Sequence, residues 1–561
     1  MIAQSREMKS LSVALPFSPV SRSFNATRFS LLMEFFAAEP CVNRIILLHQ
    51  GGEQEARKIC PATYNLDFIE VDSWISGRVI KNILLAAEAD GLLLHLSGLD
   101  TEFESRGLRE FLALAQTFGA GLVYADSREI SGADVIHHPR IEYQRGSIRD
   151  SFSFGPVVLI TTQAAEESLA RHGPIQQDIR WGGFYDLRLK LSIDFPIIHS
   201  AEPLYVERVP INRQATTPAG SPERPFYLPN RSGREYQLES ERIATAHLRR
   251  IGAYVESGSC PPPESEETFP VTASVVIPAR NREKTIAEAI QSALDQVTSF
   301  TYNIIVVDDH STDRTGEIIR EFACQHDRLV HIIPERTDLG IGGMWNEAVY
   351  SRHCGLFAVQ LDSDDVYAHD RAVAILIDEF GYSQSDGTGD ARNAPRYAMV
   401  IGSHTIVDVE LREIVPGLDR RLELSRENGR NNILCLEGPG APRAFYVPVL
   451  RRFGFPNISF GEDYAIALRI GREFDIGRVF ESVYLARRWE ENSHRSLPMG
   501  SLKSIQIRDL VPAGVDQQEF LSQMQPIMVP LVIASINYYA AFKDYLRTVE
   551  IQARSNRQPS G

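Results

Sequence analysis

The chain has 561 residues, of which 43% are hydrophobic and 23% charged, and its formal net charge is −15 at pH 7. This length predicts two to four domains, and the acidic balance argues against a general nucleic-acid binder, which needs a basic surface. The six cysteines are scattered without Cys-x-x-Cys spacing, so they predict neither a zinc site nor a disulfide framework and fit a reducing cytoplasm.

The first part of the chain, up to about residue 208, alternates apolar runs with segments of helical spacing. This alternation is typical of βαβ units. The predicted strands are Leu11–Phe17, Arg44–His49, Gly91–Leu96, Ala120–Tyr124 and Val157–Thr161, and the predicted helices are Ala26–Ala38, Glu104–Phe118, Gln163–Arg171 and one that Trp181-Gly182-Gly183 opens.

Two segments have the composition of linkers. Residues 216–225 contain three prolines, and residues 257–270 contain three consecutive prolines beside an acidic run. Between them, the apolar spacing of residues 238–251 predicts a connecting helix. The predicted organisation is a first domain over 1–210, a linker with its helix over 211–270, a second domain over 271–500, and a helical C-terminal segment over 501–561.

The second domain repeats the alternation of strands and helices more clearly. Because its strands are separated by helices, they predict parallel pairing with right-handed crossovers. The predicted strands are Thr272–Pro278, Tyr302–Val307, Leu329–Ile333 and Leu356–Leu361, and the predicted helices are Glu283–Gln296 and Thr315–Gln325.

Three acids follow the last of these strands, at Asp362, Asp364 and Asp365. A buried strand that ends in carboxylates delivers them to the edge of the sheet where open α/β folds bind ligands. Side chains alternate along an extended backbone, so Asp362 and Asp364 point the same way and Asp365 turns aside. Oxygen ligands of this kind suit Mg²⁺ or Mn²⁺ with substrate phosphates completing the coordination. A solvated acidic turn is the alternative for this motif taken alone.

Four motifs in this order resemble those of the family 2 glycosyltransferases, which have the GT-A fold. They are Val275-Val276-Ile277-Pro278-Ala279-Arg280-Asn281, Ile304-Ile305-Val306-Val307-Asp308-Asp309, the acids at 362–365, and Gly461-Glu462-Asp463-Tyr464. The resemblance covers about residues 271–498. It implies an inverting transfer of a sugar from a nucleotide-diphosphate sugar, of the UDP type, to a hydroxyl of a glycan, polysaccharide or lipid-linked sugar, with Mn²⁺ or Mg²⁺.

The resemblance also implies roles for individual residues. Asp463 takes the proton of the acceptor as general base, and Glu462 orients the acceptor; acids that merely decorate a helix start are the alternative. Asp364 and Asp362 hold the metal, and His494 completes its coordination unless it is a surface histidine. The residues implied for donor binding are Pro278, Ala279, Arg280, Asp309, Gly340, Asn346, Asp362 and Arg488.

The first domain reads as a weaker copy of the second, so the chain predicts two GT-A-like, Rossmann-related mixed-sheet α/β domains in tandem. Ser97-Gly98 stand where the second domain has acids, which favours a degenerate copy that binds acceptor or braces the assembly. A second active transferase, as in two-domain polysaccharide polymerases, is the alternative. A glycan-binding protein without turnover is a further alternative, but such a protein would not need the base Asp463. A nucleotidyltransferase is another alternative, but it should carry a Lys-containing phosphate loop after its first strand, where this chain has Pro278-Ala279-Arg280-Asn281.

No segment of the sequence predicts a membrane span. Met1–Ser10 lacks the pattern of a secretory signal, and Pro530 and Asn537 interrupt the apolar segment Ile527–Phe542, which is also too short. The expected location is the cytoplasm or the inner face of a membrane, reached as a peripheral protein. The apolar seam of the C-terminal helices predicts packing on a domain or in a homodimer.

Overall fold

The computed structural model divides the chain into two compact units, residues 1–253 and residues 254–561, and each is described by itself. The residues that the structure describes are 8–18, 25–60, 64–71, 73–96, 100–131, 134–140, 142–143, 147–150, 152–208, 234–256, 260–382, 394–414, 428–435, 439–457 and 462–488. The predicted C-terminal helices over 501–561 and the apolar segment Ile527–Phe542 lie outside these ranges. Among the described residues, no helix has both the length and the apolar composition needed to cross a bilayer.

The first unit is built on a sheet whose strands follow the order β3-β2-β1-β4-β8-β6-β9-β5, with β7 added beside β6. The sheet is mixed: β1 pairs in parallel with β2 and β4, whereas β8 is antiparallel to both of its neighbours. The strands are β1 (Leu11–Phe17), β2 (Val42–His49), β3 (Leu66–Glu70), β4 (Gly91–His95), β5 (Asp100–Phe103), β6 (Leu122–Ser131), β7 (Asp134–His138), β8 (Val157–Thr161) and β9 (Ile197–Arg208).

Helices cover both faces of this sheet, because alternate residues of its central strand enter different cores. Val13 and Leu15 pack in a core with residues of α1 and α4, whereas Ala14 packs in a second core with residues of α3 and α6. The helices are α1 (Ala26–Ala38), α2 (Glu53–Ile59), α3 (Gly77–Ala86), α4 (Ser105–Phe118), α5 (Thr162–His172), α6 (Gly183–Asp194) and α7 (Arg234–Arg250).

The last of these helices corrects one expectation. The sequence predicts a connecting helix between two linkers, but the structure places α7 in the first unit. The Glu239 carboxylate accepts hydrogen bonds from the backbone N–H groups of Arg180, Trp181 and Gly182, which precede α6. These three donors tie α7 to the start of α6.

The second unit is built on a sheet in the order β12-β11-β10-β13-β16-β15-β17-β14. The four strands β12, β11, β10 and β13 are parallel, as the sequence predicts, and β16 turns the pairing antiparallel. The strands are β10 (Ala273–Ala279), β11 (Tyr302–Asp308), β12 (Leu329–Ile332), β13 (Phe357–Gln360), β14 (Val366–Tyr367), β15 (Met399–Val407), β16 (Arg443–Tyr446) and β17 (Ile476–Arg487).

The helices of the second unit complete its layers. Every residue of β10 and β11 is buried, as expected of strands covered on both faces. The helices are α8 (Ile286–Leu294), α9 (Thr315–Gln325), α10 (Ile341–Val349), α11 (Ala372–Asp378), α12 (Gly429–Asn432), α13 (Val447–Phe453) and α14 (Glu462–Glu473), with a 3₁₀ turn at Ile433–Cys435.

The two sheets have the same strand order. When β7 is set aside, each strand of the first sheet has a counterpart in the second at the same place in the chain and in the sheet. Both central strands have seven residues, with the sequences LSVALPF and ASVVIPA. The predicted tandem of two mixed-sheet α/β domains is therefore confirmed, and the shared order supports an internal duplication.

Candidate active site

The candidate site lies at the carboxyl edge of the parallel strands in the second unit. Chain order reverses at β10, which lies between β11 and β13, and open α/β sheets bind ligands at such a switch point. Polar residues follow all three strands there: Arg280 after β10, Asp309 after β11 and the acids from Asp362 after β13.

Asp309 has a buried carboxylate, and the two oxygens of this carboxylate have different surroundings. Its Oδ2 accepts a hydrogen bond of 2.9 Å from Nη1 of Arg280, whereas its buried Oδ1 has no hydrogen-bond partner among the described residues. A buried acceptor without a donor costs free energy, so this oxygen points to a ligand that donates to it. The neighbouring Asp308 has a structural role, since its side chain accepts from the Ser311 backbone and lies 3.6 Å from Nε2 of His331.

The three acids after β13 have different environments. Asp362 and Asp364 are half-buried, whereas Asp365 is buried, and its Oδ1 accepts a hydrogen bond of 2.7 Å from the Arg487 backbone. Burial, followed by the like charges of Asp362 and Asp364, raises the pKa of Asp365 well above its ordinary value. Residues 362–365 form a turn, closed by a hydrogen bond of 3.1 Å from the Asp365 backbone N–H to the Asp362 carbonyl, so the strand alternation expected from the sequence does not apply to these acids.

Arg487 and Tyr484, both on β17, hold the acidic segment in place. The Arg487 guanidinium donates to the backbone carbonyl of Asp364 at 2.9 Å and pairs with Glu288. The Tyr484 hydroxyl accepts from the backbone N–H of Asp362 at 2.9 Å. The backbone that presents Asp362 and Asp364 is therefore fixed from β17.

The second pair of acids opens α14, where the helix dipole favours negative charge. Glu462 is buried, and burial, followed by the charges of Asp463 and Asp362, raises its pKa to about 8 although the Arg443 cation acts in the opposite direction. Asp463 is partly exposed, its Oδ2 pairs with Arg443 and its Oδ1 accepts from the Tyr464 backbone.

Arg443 lies close to both groups of acids. Burial works against the charge of its guanidinium, but the carboxylates of Asp463, Asp362 and Glu462 outweigh burial and raise its pKa. One side chain can interact with all three only if the end of β13 and the start of α14 lie close together. The structure therefore brings the implied metal side and the implied base side of the site together.

Other implied donor residues are placed less directly. Pro278 and Ala279 are buried within β10, and the Ala279 carbonyl accepts from the Asp309 backbone, so only Arg280 reaches the edge with an exposed side chain. Arg488 is exposed just after β17 and donates its backbone N–H to Val407. His494 lies outside the described residues.

The glycine-bearing loop at the start of α10 packs against protein. A Cβ on Gly342 would lie 1.9 Å from the Pro456 carbonyl oxygen, and one on Gly343 would lie 2.2 Å from Oδ1 of Asn457. The Gly340 backbone donates to the same Asn457 oxygen, and the Asn346 amide makes two hydrogen bonds with the Phe455 backbone. Gly342, Gly343 and Asn346 therefore let α10 pack closely against residues 455–457. The implied donor contacts of Gly340 and Asn346 stay a prediction.

Gln360 and Arg443 are site residues to which the sequence motifs assigned no role of their own. The Gln360 amide donates to Asp362 Oδ1 at 2.8 Å and accepts from the Arg443 backbone at 3.2 Å. Both are polar residues inside otherwise apolar strands, with sequences FAVQ and RAFY. A buried polar residue in such a run needs a partner, and that requirement is the signal that could have identified them.

The residues present fit a divalent cation held jointly with a diphosphate. No cluster of three or more His, Cys, Asp or Glu side chains in the described ranges forms a metal site by itself. Asp362 and Asp364 supply carboxylate oxygens beside a third acid whose pKa is raised by their charge, and a cation there would relieve that repulsion. Mg²⁺ is commonly held by one or two carboxylates plus substrate phosphates.

The first unit has apolar residues or glycine at most of the equivalent positions. Helices α6 and α14 both have 12 residues, and two residues separate each of them from the last strand of its sheet. Gly183 therefore matches Glu462, and Phe184 matches Asp463. By strand register, Leu94 matches Gln360 and Val158 matches Arg443.

Gly183 could not be replaced by an acid without rearrangement. A Cβ at this position would lie 2.6 Å from the backbone nitrogen of Gly77 and from the carbonyl carbon of Ser76. The backbones of α3 and α6 thus meet where the second unit has a carboxylate. Phe184 packs on the core of the unit, with its ring 6.0 Å from that of Phe154.

One segment of the second unit matches a known family. Residues 274–430 match the family model of glycosyl transferase family 2, which confirms the resemblance for this segment. The chain is 41% identical over 108 residues to a chondroitin synthase of Escherichia coli, a match covering 19% of this chain and 15% of that protein. It is 32% identical over 98 residues to a putative teichuronic acid biosynthesis glycosyltransferase of Bacillus subtilis, covering 18% and 38%. The matched segments thus span well under half the length of these relatives.

Two solved structures are similar to a limited degree. TarS 1-349 of S. aureus in complex with UDP-GlcNAc is 20% identical, with a TM-score of 0.32 and coverage of 51% of this chain and 92% of that one. The mannosyltransferase PcManGT of Pyrobaculum calidifontis in complex with GDP-Man and Mn²⁺ is 17% identical, with a TM-score of 0.32 and coverage of 58% and 87%. At these scores neither structure supports a conclusion about the site.

Proposed function

We propose that this chain, whose residues 274–430 match glycosyl transferase family 2, is an inverting glycosyltransferase. It moves a sugar from a nucleotide-diphosphate sugar, of the UDP type, to a hydroxyl of a glycan, polysaccharide or lipid-linked sugar. The observation that carries the proposal is the set of hydrogen bonds that links Asp362 to Asp463 through Gln360 and Arg443 at the ligand edge of the sheet.

The donor nucleotide binds at the ends of β10 and β11. Oδ1 of Asp309 accepts from an N–H of the nucleobase, which satisfies the oxygen that has no hydrogen-bond partner among the described residues. Arg280 holds the other oxygen of the same carboxylate and so fixes its orientation. This arrangement favours bases that present an N–H donor at this edge, as uracil does.

The diphosphate and its cation lie beside the acids after β13. Asp364 and Asp362 would hold Mn²⁺ or Mg²⁺, which when bound neutralises the charge that develops on the departing nucleoside diphosphate. The protein contributes a rigid backbone for these carboxylates through Tyr484 and Arg487.

The acceptor is activated by Asp463. Its carboxylate takes the proton of the acceptor hydroxyl while that oxygen attacks the anomeric carbon and the bond from that carbon to the diphosphate oxygen breaks. Attack from the side opposite the leaving group inverts the anomeric configuration. Glu462, with its pKa raised to about 8, is largely protonated at neutral pH and can donate a hydrogen bond to an acceptor oxygen.

Two other readings predict different outcomes. A bifunctional polymerase would need a second complete site, but Gly183, Phe184 and Val158 stand at the first unit's equivalents of Glu462, Asp463 and Arg443. A binding protein without turnover would need neither the base nor a raised pKa at Glu462.

The test measures nucleoside diphosphate release by the full chain from a panel of UDP- and GDP-sugars, with glycan acceptors, with Mn²⁺ or Mg²⁺ and with EDTA. We expect acceptor-stimulated release that EDTA abolishes. The Asp463→Asn variant should lose about 10²- to 10⁴-fold in transfer, while its Kd for UDP stays unchanged. Binding of a nucleotide sugar with no release under any condition would favour the binding protein instead.

A further inference from the structure

A buried arginine connects the two halves of the candidate site. Arg443 opens β16, is 6% exposed, and pairs through Nη1 with Oδ2 of Asp463. Within the described residues, Nη1 is the only one of its guanidinium nitrogens that makes a hydrogen bond with a neighbouring group. The Arg443 side chain therefore makes its hydrogen bond with Asp463, the implied base.

The main chain of the same residue is tied to the donor side. The Arg443 N–H donates to Oε1 of Gln360, and Nε2 of Gln360 donates to Oδ1 of Asp362. Because Gln360 is 1% exposed, its amide has a fixed orientation between these partners. A continuous path of hydrogen bonds thus runs from Asp362 through Gln360 and Arg443 to Asp463.

The charged groups around Asp463 come from four elements. Arg443 on β16 supplies the cation, Glu462 on α14 supplies a carboxyl group, Asp362 follows β13, and the Tyr484 hydroxyl on β17 lies within electrostatic range of Arg443. Arg443 is the positive group in this set.

We propose that Arg443 is a positioning residue that keeps Asp463 ionised and oriented for proton abstraction, and that its backbone link through Gln360 holds the base in register with the donor side. The inference rests on the proposed glycosyltransferase function. It assigns a role to a residue outside the four motifs.

Substitution can separate the two links. The Arg443 backbone N–H remains in any variant except proline, so the bond to Gln360 and Asp362 survives when the side chain is changed. Arg443→Met should therefore affect the base and leave donor binding nearly intact. Arg443→Lys keeps a cation at the site and should restore part of the function.

The experiment measures kcat/KM for acceptor-dependent nucleoside diphosphate release against pH for the wild type, Arg443→Met and Arg443→Lys, in saturating Mn²⁺. We expect Arg443→Met to lose about 10- to 100-fold near pH 7, because the base is no longer held in its orientation. Its acid limb should also move up by about one pH unit or more, because the carboxylate has lost the cation that pairs with it. The KM for the donor should stay within about threefold, and Arg443→Lys should return the limb toward the wild-type position.

Arg430→Met is the matched control. Arg430 is also a buried guanidinium, and it donates to the backbone carbonyls of Gly471 and Arg472 at the other end of α14. Its removal should lower the Tm without moving the acid limb.

The outcomes separate the inference from the proposed function. The inference is overturned if Arg443→Met folds and loses activity equally at all pH values. It is also overturned if Arg443→Lys fails to return the acid limb of the pH profile toward the wild-type position. If Arg443→Met does not fold, the pH profiles of Arg443→Lys and Gln360→Leu provide the test. Both variants keep a cation beside Asp463, so their acid limbs should lie within about half a pH unit of the wild-type limb. A larger shift contradicts the inference. No acceptor-dependent release by the wild type overturns the proposed function itself.

Discussion

The first and second units place their strands in the same order, but their chemistry differs at the ligand edge of the sheet. In the second unit, Glu462 and Asp463 open the helix α14, and Arg443 lies beside them. In the first unit, Gly183 and Phe184 open the matching helix, and Val158 stands at the position of Arg443. The sheet order therefore does not depend on the charged residues of the site.

This difference is what we expect if the first unit keeps the fold without an active site. Burying carboxylates is unfavourable unless a cation or ligand compensates for their charge. Once the ligand is no longer bound, apolar residues and a close contact between backbones stabilise the same positions better. The contact of α3 with α6 at Gly183, and the packing of Phe184 on Phe154, have this character.

The largest expected effect comes from the acid pair after β13. Asp364→Asn should lower sugar transfer by about 10²- to 10³-fold, because it removes a negative oxygen from the place where charge on the leaving diphosphate must be balanced. The assay is nucleoside diphosphate release in Mn²⁺, and circular dichroism should show an unchanged fold. Full turnover by this variant in the presence of EDTA would refute the metal role.

The matched control lies in the first unit. Asp100 begins β5, which is the counterpart of β14, the strand that follows Asp364. The first unit has Leu96 at the position that corresponds to Asp362, two residues after the counterpart of Gln360. Asp100→Asn should leave transfer within about twofold of wild type if the first unit has no site of its own. A loss comparable with that of Asp364→Asn would restore the interpretation of a bifunctional enzyme.

An intermediate effect on stability is expected at Gly183. Gly183→Ala places a methyl group 2.6 Å from the backbone of Ser76 and Gly77, and overpacking of this kind costs about 1–3 kcal/mol. Gly51→Ala is the control, since no atom lies within 4 Å of its added Cβ, and its φ of +76° leaves only backbone strain of about 1 kcal/mol. Thermal unfolding should show a larger decrease in Tm for Gly183→Ala than for Gly51→Ala. Equal decreases would mean that α3 and α6 can move apart to accommodate the methyl group.

The smallest expected effect is a pH-dependent stability change at Glu462. Burial, then the charges of Asp463 and Asp362, raises its pKa to about 8 in the folded state, whereas the pKa in the unfolded chain is about 4.3. The folded state thus binds the extra proton between these values, so wild-type stability falls as pH rises from about 4 to 8. Glu462→Gln should remove this loss, gaining about 1 kcal/mol or more at pH 8 and nothing near pH 4. A Tm difference between the variants that does not change with pH would contradict this assignment.

Sequence patterns predicted the strands and helices that have strong local signals. The strands at Leu11–Phe17 and Val157–Thr161 and the helices at Ala26–Ala38 and Thr315–Gln325 have the predicted bounds. Their apolar periodicity and flanking residues are local properties, which single-sequence reasoning can detect. The acids at strand ends were predicted for the same reason, because a buried run that stops in carboxylates is a local pattern.

The long strands β9 and β17 and the role of Arg443 were not predicted. Strand β17 pairs with β15 and with β14, so its existence depends on partners far away in the chain. Arg443 acquires its meaning only when β16 lies beside β13 and α14 brings Asp463 to it. Contacts of this kind arise from tertiary packing, and no local pattern specifies them.

The most direct test of the account is a crystal structure of the full chain with UDP and Mn²⁺, using the anomalous signal of manganese. We expect a single strong peak in the second unit, bonded to Asp364 and to the diphosphate, with the uracil N–H at Asp309 Oδ1 and the Asp463 carboxylate facing the same crevice. A manganese peak with UDP in the first unit, or UDP bound in the second unit away from Asp364, would contradict the account.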